Sequence, residues 1–198
     1  MIPGRLVLAT ANPGKVRELG ALVAKWGDVE VLSLAAFPRV RLPEETGTSY
    51  RENAERKALA VANGTGLPAL ADDSGLEVDA LGGAPGIGSA RYALSDAERI
   101  AKLLAALEDL AGSARTAAFR CAVVLAWPGG SIEVATGACV GRIAAEPMGT
   151  QGFGYDPIFE ADELGRTLGT ATPAEKERVS HRARAMRALG ARLKSISA

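Results

Sequence analysis

The stretch RLVLATANPGKVRELGALVAKWG, residues 5–27, limits the folds open to this chain more than any other. It opens on a short apolar run, RLVLATA, of the kind that forms a buried strand. Asn12 then suits a helix N-cap and Pro13 the first helical position, where its missing N–H is no loss. Val16, Leu19, Leu22, Val23 and Trp26 recur at helical spacing, and Gly27 closes the run. A second apolar strand segment, VEVLSL, follows. Strand, tight turn, helix and strand in that order commit the chain to an α/β layout.

The remaining chain keeps part of this alternation. After the loop FPRVRLPEETGT, Ser49 and Glu52 have capping-box spacing and predict a helix over 50–62 that ends at Asn63-Gly64. Residues 68–73 read as a short strand ending in Asp72 and Asp73. LEVDALGGAPGIGSARYA reads as an extended, loop-rich segment. Ser95 and Glu98 form a second capping box, with Ile100, Leu103, Leu104, Leu107 and Leu110 as the buried stripe and Gly112 as the stop. RTAAFRCAVVLAW and SIEVATGACVGRI, joined by PGG, predict an antiparallel hairpin. Thr172, Pro173 and Glu175 begin the last helix. The fold class is α/β with mixed α+β character, built on a mixed sheet.

At 198 residues and 47% hydrophobic composition, the chain has enough material for one domain over 1–198, with room for two lobes. Lys plus Arg and Asp plus Glu number 23 each, and this zero net charge argues against a nucleic-acid partner. A small phosphorylated ligand needs only a few local cations. Cys121 and Cys139 lack metal spacing and read as buried free thiols. The apolar run in MIPGRLVLAT is too short for a signal segment or a membrane span, so the expected location is cytoplasmic.

Four stretches carry candidate chemistry. TANPGK, Thr10 to Lys15, places a helix N-terminus and a lysine where they attract anions, or is simply a capped helix with a surface lysine. Glu44 and Glu45, with Asp72 and Asp73, offer hard oxygens of the kind Mg²⁺ takes while keeping several waters; the other reading is a pair of solvated turns. GFGYDP, 152–157, offers Phe153 and Tyr155 as flat faces for a base, or is a turn with one buried aromatic. In EKERVSHRARAMR the lone His181 is a weak metal candidate. On one continuous helix Lys176 and Arg182 differ by about 240° and could not converge. A break at Ser180, restarting a helix at His181 and Arg182, removes that conflict.

Five motifs in this order, LATANPGKVREL, EETGTSYRENAERKA, LADDSGLEVDALGGAPGIGSARYA, GFGYDPIF and EK…SHR, together resemble the inosine/xanthosine triphosphate pyrophosphatase family, the RdgB-like non-standard purine nucleotide hydrolases. The match spans nearly the whole chain. The resemblance implies Mg²⁺-dependent hydrolysis of ITP, dITP and XTP to monophosphate and pyrophosphate, keeping such nucleotides out of nucleic acids. It further implies an elongated, two-lobed α/β fold with a central twisted sheet flanked by helices, the site in the cleft between lobes, and a homodimer. Carried over by position, Thr10, Ala11, Asn12, Pro13, Gly14 and Lys15 would hold the triphosphate. Glu45 and Asp73 would bind Mg²⁺, with Asp73 also the proton acceptor. Ser74, Phe153, Gly154, Tyr155, Asp156, Lys176, His181 and Arg182 would contact substrate.

A metal-bound Asp73 is a weaker base, which leaves Asp72 or a metal-bound hydroxide as alternatives. A related pyrophosphatase with another base preference and a nucleotide-binding module without turnover are the competing readings. Carboxylates beside a triphosphate without a metal would only repel it, which argues against a pure binder. Three places depart from the family pattern: the stretch TLGTATPAEK differs from the usual TFAEL, and Gly88 stands where tyrosine is usual, which puts pocket shape in question. Ala183 stands where glycine is common and is expected to restrict the turn after Arg182.

Overall fold

The computed structural model describes residues 1–195. Its strands are β1 (Arg5–Leu8), β2 (Glu30–Ser33), β3 (Ala69–Val78), β4 (Thr116–Ala126), β5 (Ile132–Ile143), β6 (Phe159–Ala161) and β7 (Arg166–Thr167). Its α-helices are α1 (Pro13–Val23), α2 (Tyr50–Thr65), α3 (Asp96–Ala105), α4 (Pro173–Val179) and α5 (His181–Ser195). The strands form one mixed sheet in the order β2-β1-β3-β4-β5-β6-β7. β1 runs parallel to β2 and to β3, with Val7 opposite Ala69 and Leu8 opposite Leu70. β5, β6 and β7 pair antiparallel. β4 and β5 are neighbours joined by residues 127–131, a connection too short for anything but a hairpin.

The chain divides into two compact units. The first comprises residues 1–73, 121–137 and 182–198, and the second 74–120 and 138–181. β3, β4 and β5 each pass from one unit to the other along their length, and the α4–α5 junction does so once more.

In the first unit the sheet is buried on both faces, and strand alternation decides which side chain goes where. Leu6, Leu8 and Leu70 pack with Leu19, Leu22, Val23 and Trp26 of the α1 region and with Ala185, Met186, Leu189 and Leu193 of α5. Val7, Ala9, Ala69 and Ala71 face the other way, onto Ala54, Ala58, Val61 and Ala62 of α2. Small residues on both surfaces of that second layer allow α2 a close approach. The second unit has its own core of Leu76, Val78, Leu103, Leu107, Phe119, Ile143, Ile158, Phe159 and Val179, among others.

The helix starts follow the sequence. The Asn12 side chain accepts from Lys15 N–H, and Pro13 stands at the first helical position. The capping boxes of Ser95 with Glu98 and of Thr172 with Glu175 are complete. Ser49 caps α2 through Glu52 N–H, but the Glu52 carboxylate turns to Thr48 N–H and hydroxyl instead of closing the box.

Three boundaries differ from expectation. α2 continues through Asn63 and Gly64 to Thr65 and stops at Gly66, whose left-handed φ of 71° suits a residue without Cβ. α3 ends at Ala105: Leu107 N–H bonds to Leu104 O and Leu110 N–H to Leu107 O, tightening the chain into turns, while the buried Arg115 guanidinium donates to Leu107 O. β3 does not stop at the aspartates but runs five residues past Asp73, to Val78. β4 lies beside it, and Leu76 and Val78 bury in the second core, so the ladder continues. Asp72 and Asp73 are therefore mid-strand residues.

Candidate active site

In the first unit, alternation along β3 separates the two aspartates. Asp72 has the parity of Leu70 and meets α1 and α5. Asp73 has the parity of Ala69 and Ala71 and meets α2. Asp72 is fully buried. Its Oδ2 lies 3.1 Å from Lys15 Nζ and accepts from Arg182 Nε at 3.0 Å. A second Arg182 nitrogen lies 3.0 Å from the same oxygen, and Arg182 Nη1 donates to Glu18 Oε2 at 2.5 Å. Burial opposes charge on Asp72, yet Lys15 and then Arg182 hold its carboxyl well below the usual carboxylate range. The Cys121 thiol points at the same oxygen, and burial followed by the Asp72 charge pushes it far above an ordinary thiol. Cys121 is thus an inert buried thiol, as expected. Cys139 is buried as well.

The approach to Lys15 is built by the β1–α1 turn. Thr10 is buried and its hydroxyl accepts from Asn12 N–H at 3.2 Å. Ala11, Asn12 and Pro13 are exposed and Gly14 is buried. This turn presents the positive end of α1 with Lys15 one residue further on.

On the other face, Asp73 Oδ2 accepts from Asn53 Nδ2 at 2.9 Å. The same Asn53 amide oxygen accepts from Gly47 N–H at 2.8 Å, which fastens the loop carrying Glu45 to α2. Lys57 Nζ donates to Glu45 Oε1 at 2.7 Å and lies 3.7 Å from Asp73 Oδ1. Glu45 and Asp73 thus converge on one cation, whereas Glu44 is exposed. Burial raises the Asp73 carboxyl above its ordinary value, with Lys57 and Asn53 pulling the other way. For Lys57 burial works to lower the ammonium, but Asp73, Asp72 and Glu45 outweigh it and hold it above the usual lysine value.

Among the described residues no group of three or more His, Cys, Asp or Glu side chains gathers as a metal cage. Mg²⁺ does not require one. Two carboxylates already sharing a cation, with space filled by water and substrate oxygens, are a donor set it accepts. Glu45 and Asp73 fit that description.

The second unit holds the remaining candidates. Ser74, its first residue, is half-buried. Phe153 is half-buried, with Lys176 Nζ 4.8 Å from its ring centroid. Asp156 is buried; its Oδ2 accepts from Phe153 N–H at 2.8 Å and pairs with Lys176 Nζ at 2.5 Å. Gly154 N–H donates to Asp96 Oδ2 at 2.7 Å. Tyr155 departs from the expected stacking face: its ring packs in the core and its hydroxyl donates to Ser89 O at 3.0 Å. Of the two aromatics only Phe153 keeps an accessible surface. His181 is buried and stacks on Phe119 at 4.7 Å, with an angle of 15° between the rings.

The break at Ser180 is present. α4 ends at Val179, Ser180 is extended at ψ 147°, and α5 starts at His181. Lys176 and Arg182 therefore sit on separate helices. Ala183 lies buried inside the first turn of α5, so no turn follows Arg182 for it to restrict.

The family model for the Ham1 family matches residues 6–192. The chain belongs to the Ham1 family. A dITP/XTP pyrophosphatase of Geobacillus kaustophilus is 50% identical over 184 residues, covering 91% of this chain and 90% of that protein. One of the same description from Thermus thermophilus is 50% identical over 187 residues, covering 93% and 89%. The solved structure of a HAM1 protein from Coxiella burnetii superposes with a TM-score of 0.86 at 42% identity, over 96% of this chain and 98% of the other.

Sequence reasoning overlooked Lys57, Asn53 and Glu18. A signal for two of them was present. Asn53 and Lys57 are four apart and share the face of α2 that carries Ala54, Ala58 and Val61. Polar residues on a small-residue packing stripe call for a partner on the strand beneath.

Proposed function

We propose that this protein hydrolyses non-standard purine nucleoside triphosphates, ITP, dITP and XTP, to the monophosphate and pyrophosphate, in a Mg²⁺-dependent reaction. The observation that carries the reading is the convergence of Glu45 and Asp73 on a single cation, in a chain half identical to proteins named for dITP and XTP. Clearing such nucleotides before they enter nucleic acids is the corresponding cellular role, and a cytoplasmic homodimer the corresponding state. No helix among the described residues is long and apolar enough to cross a membrane.

Each residue's part follows from charge and position. Lys15 and the amino end of α1 attract the triphosphate, and Arg182 anchors Asp72, which keeps Lys15 in place. Mg²⁺ held by Glu45 and Asp73 would neutralise phosphate charge and orient the oxygens around the α–β bridge. Asp73 accepts the proton of the attacking water. Its carboxylate is oriented by the Asn53 amide, whereas Asp72 is buried and locked onto Lys15 and Arg182, with no freedom for that work. Phe153 stacks on the base, and Lys176 donates beside it. Specificity for a base with an oxygen at C6 then arises because ATP would leave a donor unpaired.

The test is pyrophosphate release from ITP, XTP, ATP, GTP and UTP, with Mg²⁺ and with chelator. Rapid release from ITP and XTP, abolished by chelator, is expected. Equal rates on ATP and ITP, or orthophosphate as first product, would overturn the reading. Sedimentation at several concentrations tests the homodimer.

A further inference from the structure

Asp156 stands among the residues assigned to the substrate, but its surroundings describe another task. It is 3% exposed, and one oxygen, Oδ2, takes both the Phe153 N–H and the Lys176 ammonium. The backbone around it is shaped to bring that oxygen in. Gly152 has a φ of 80°, and a Cβ there would collide with Asp156 Oδ2. Lys176, itself 8% exposed, is thereby held at one end by the carboxylate and along one side by the Phe153 ring. A carboxylate that met the triphosphate directly would repel it. A buried one that fixes the backbone at an aromatic and the ammonium beside it removes rotamer freedom before any ligand arrives.

We propose that Asp156 is a positioning residue which acts on substrate only through Lys176 and Phe153. Resting on the reading above, this assigns the loop 152–156 and α4 to one preorganised unit. Phe153 supplies the flat face, Lys176 the donor, and Asp156 the constraint that sets the angle between them. Neutralised by its partner, Lys176 serves as a directed hydrogen-bond donor more than as a free charge.

The experiment is steady-state pyrophosphate release from ITP with Mg²⁺ by the unmodified protein, Asp156→Asn, Lys176→Met and the double variant. Asn keeps an acceptor for Phe153 N–H but loses the charge that holds the ammonium. Asp156→Asn is expected to raise KM about tenfold with a much smaller change in kcat, the scale of one charged hydrogen bond. In the Lys176→Met background the same substitution is expected to change KM by less than about twofold, because the group it acts through is gone. Effects that multiply, or a fall in kcat with KM unchanged, would overturn the assignment and place Asp156 against the substrate. If Asp156→Asn does not fold, Asp156→Glu replaces it, and the same comparison decides. If the unmodified protein releases no pyrophosphate, the function itself is refuted and this assignment with it. If it does, the double-variant comparison judges Asp156 alone.

Discussion

Asp72 and Asp73 are neighbours in sequence and opposites in surroundings: one is locked onto Arg182 and Lys15, the other meets Asn53 and Lys57 across the sheet. The two-residue period of a strand is enough to produce this division. Adjacent carboxylates in a turn would share one environment. In mid-strand they are handed to different helices, and their proton affinities move in opposite directions.

Asp73→Asn and Asp72→Asn should therefore fail differently. Asp73→Asn removes the proposed proton acceptor and one of the two carboxylates around Lys57, so kcat is expected to fall by about 10²-fold or more with the fold intact. Asp72→Asn leaves the buried Arg182 without its main counter-charge, and breaking such a pair costs about 3–5 kcal/mol. Urea unfolding midpoints paired with turnover separate the two. A stable, inactive Asp72→Asn would reverse the assignment.

Lys57→Met takes the cation out from between Glu45 and Asp73. The two carboxylates then repel, and Mg²⁺ binding relieves more strain than before. The expected result is a lower melting temperature in chelator and a larger rise on adding Mg²⁺ than the unmodified protein shows. Equal rises in both proteins would mean that the metal does not use this pair.

How much of this was legible in advance varies with the range of the interaction. Caps and stops are local, so the start of α1, the boxes at Ser95 and Thr172 and the break at Ser180 can be read from a few residues. The end of α3 cannot, because the turn just past it is tied by Arg115, which donates to Leu107 O from eight residues further along the chain. Nor can the length of β3, since charged Asp72 and Asp73 look like an ending until β4 and a second core are known to lie alongside. Tyr155 and Phe153 are alike in sequence, and only the Ser89 carbonyl decides that one is anchored inward. The motifs supplied the candidate residues, but Lys57 and Asn53 emerged only when α2 was placed over β3.

Acid should weaken α4 through Glu175. Backbone N–H of Thr172 and then its hydroxyl hold this carboxyl below its ordinary value of 4.5. A carboxyl depressed in the folded state stabilises it above the unfolded pKa, and that contribution disappears as pH falls through the folded pKa. Glu175→Gln should therefore be less stable than the unmodified protein at neutral pH, and the gap should close as pH falls from 4.5 through the lowered folded-state value. The readout is the difference in urea midpoint between the two proteins. A gap that persists in acid would assign the cap's value to shape and not to charge.

Gly88 offers a test of how far the family pattern is tolerated here. It lies in a 3-10 turn, Gly86–Arg91, and a Cβ added to it meets no atom within 4 Å. Nearby, Ser89 is fixed tightly: its hydroxyl accepts from Leu76 N–H at 2.9 Å and donates to Gly86 O at 2.6 Å, while its carbonyl takes the Tyr155 hydroxyl. The turn is thus held by residue 89 and leaves residue 88 open. Gly88→Tyr should fold with a stability change within about 0.5 kcal/mol, as expected for a surface change away from buried contacts. Its effect is expected in KM for ITP, because the added ring changes the surface of this turn without disturbing the buried contacts of Ser89. A large loss of stability would show that residue 88 is not open. A fall in kcat at constant KM would place it closer to the chemistry than its turn suggests.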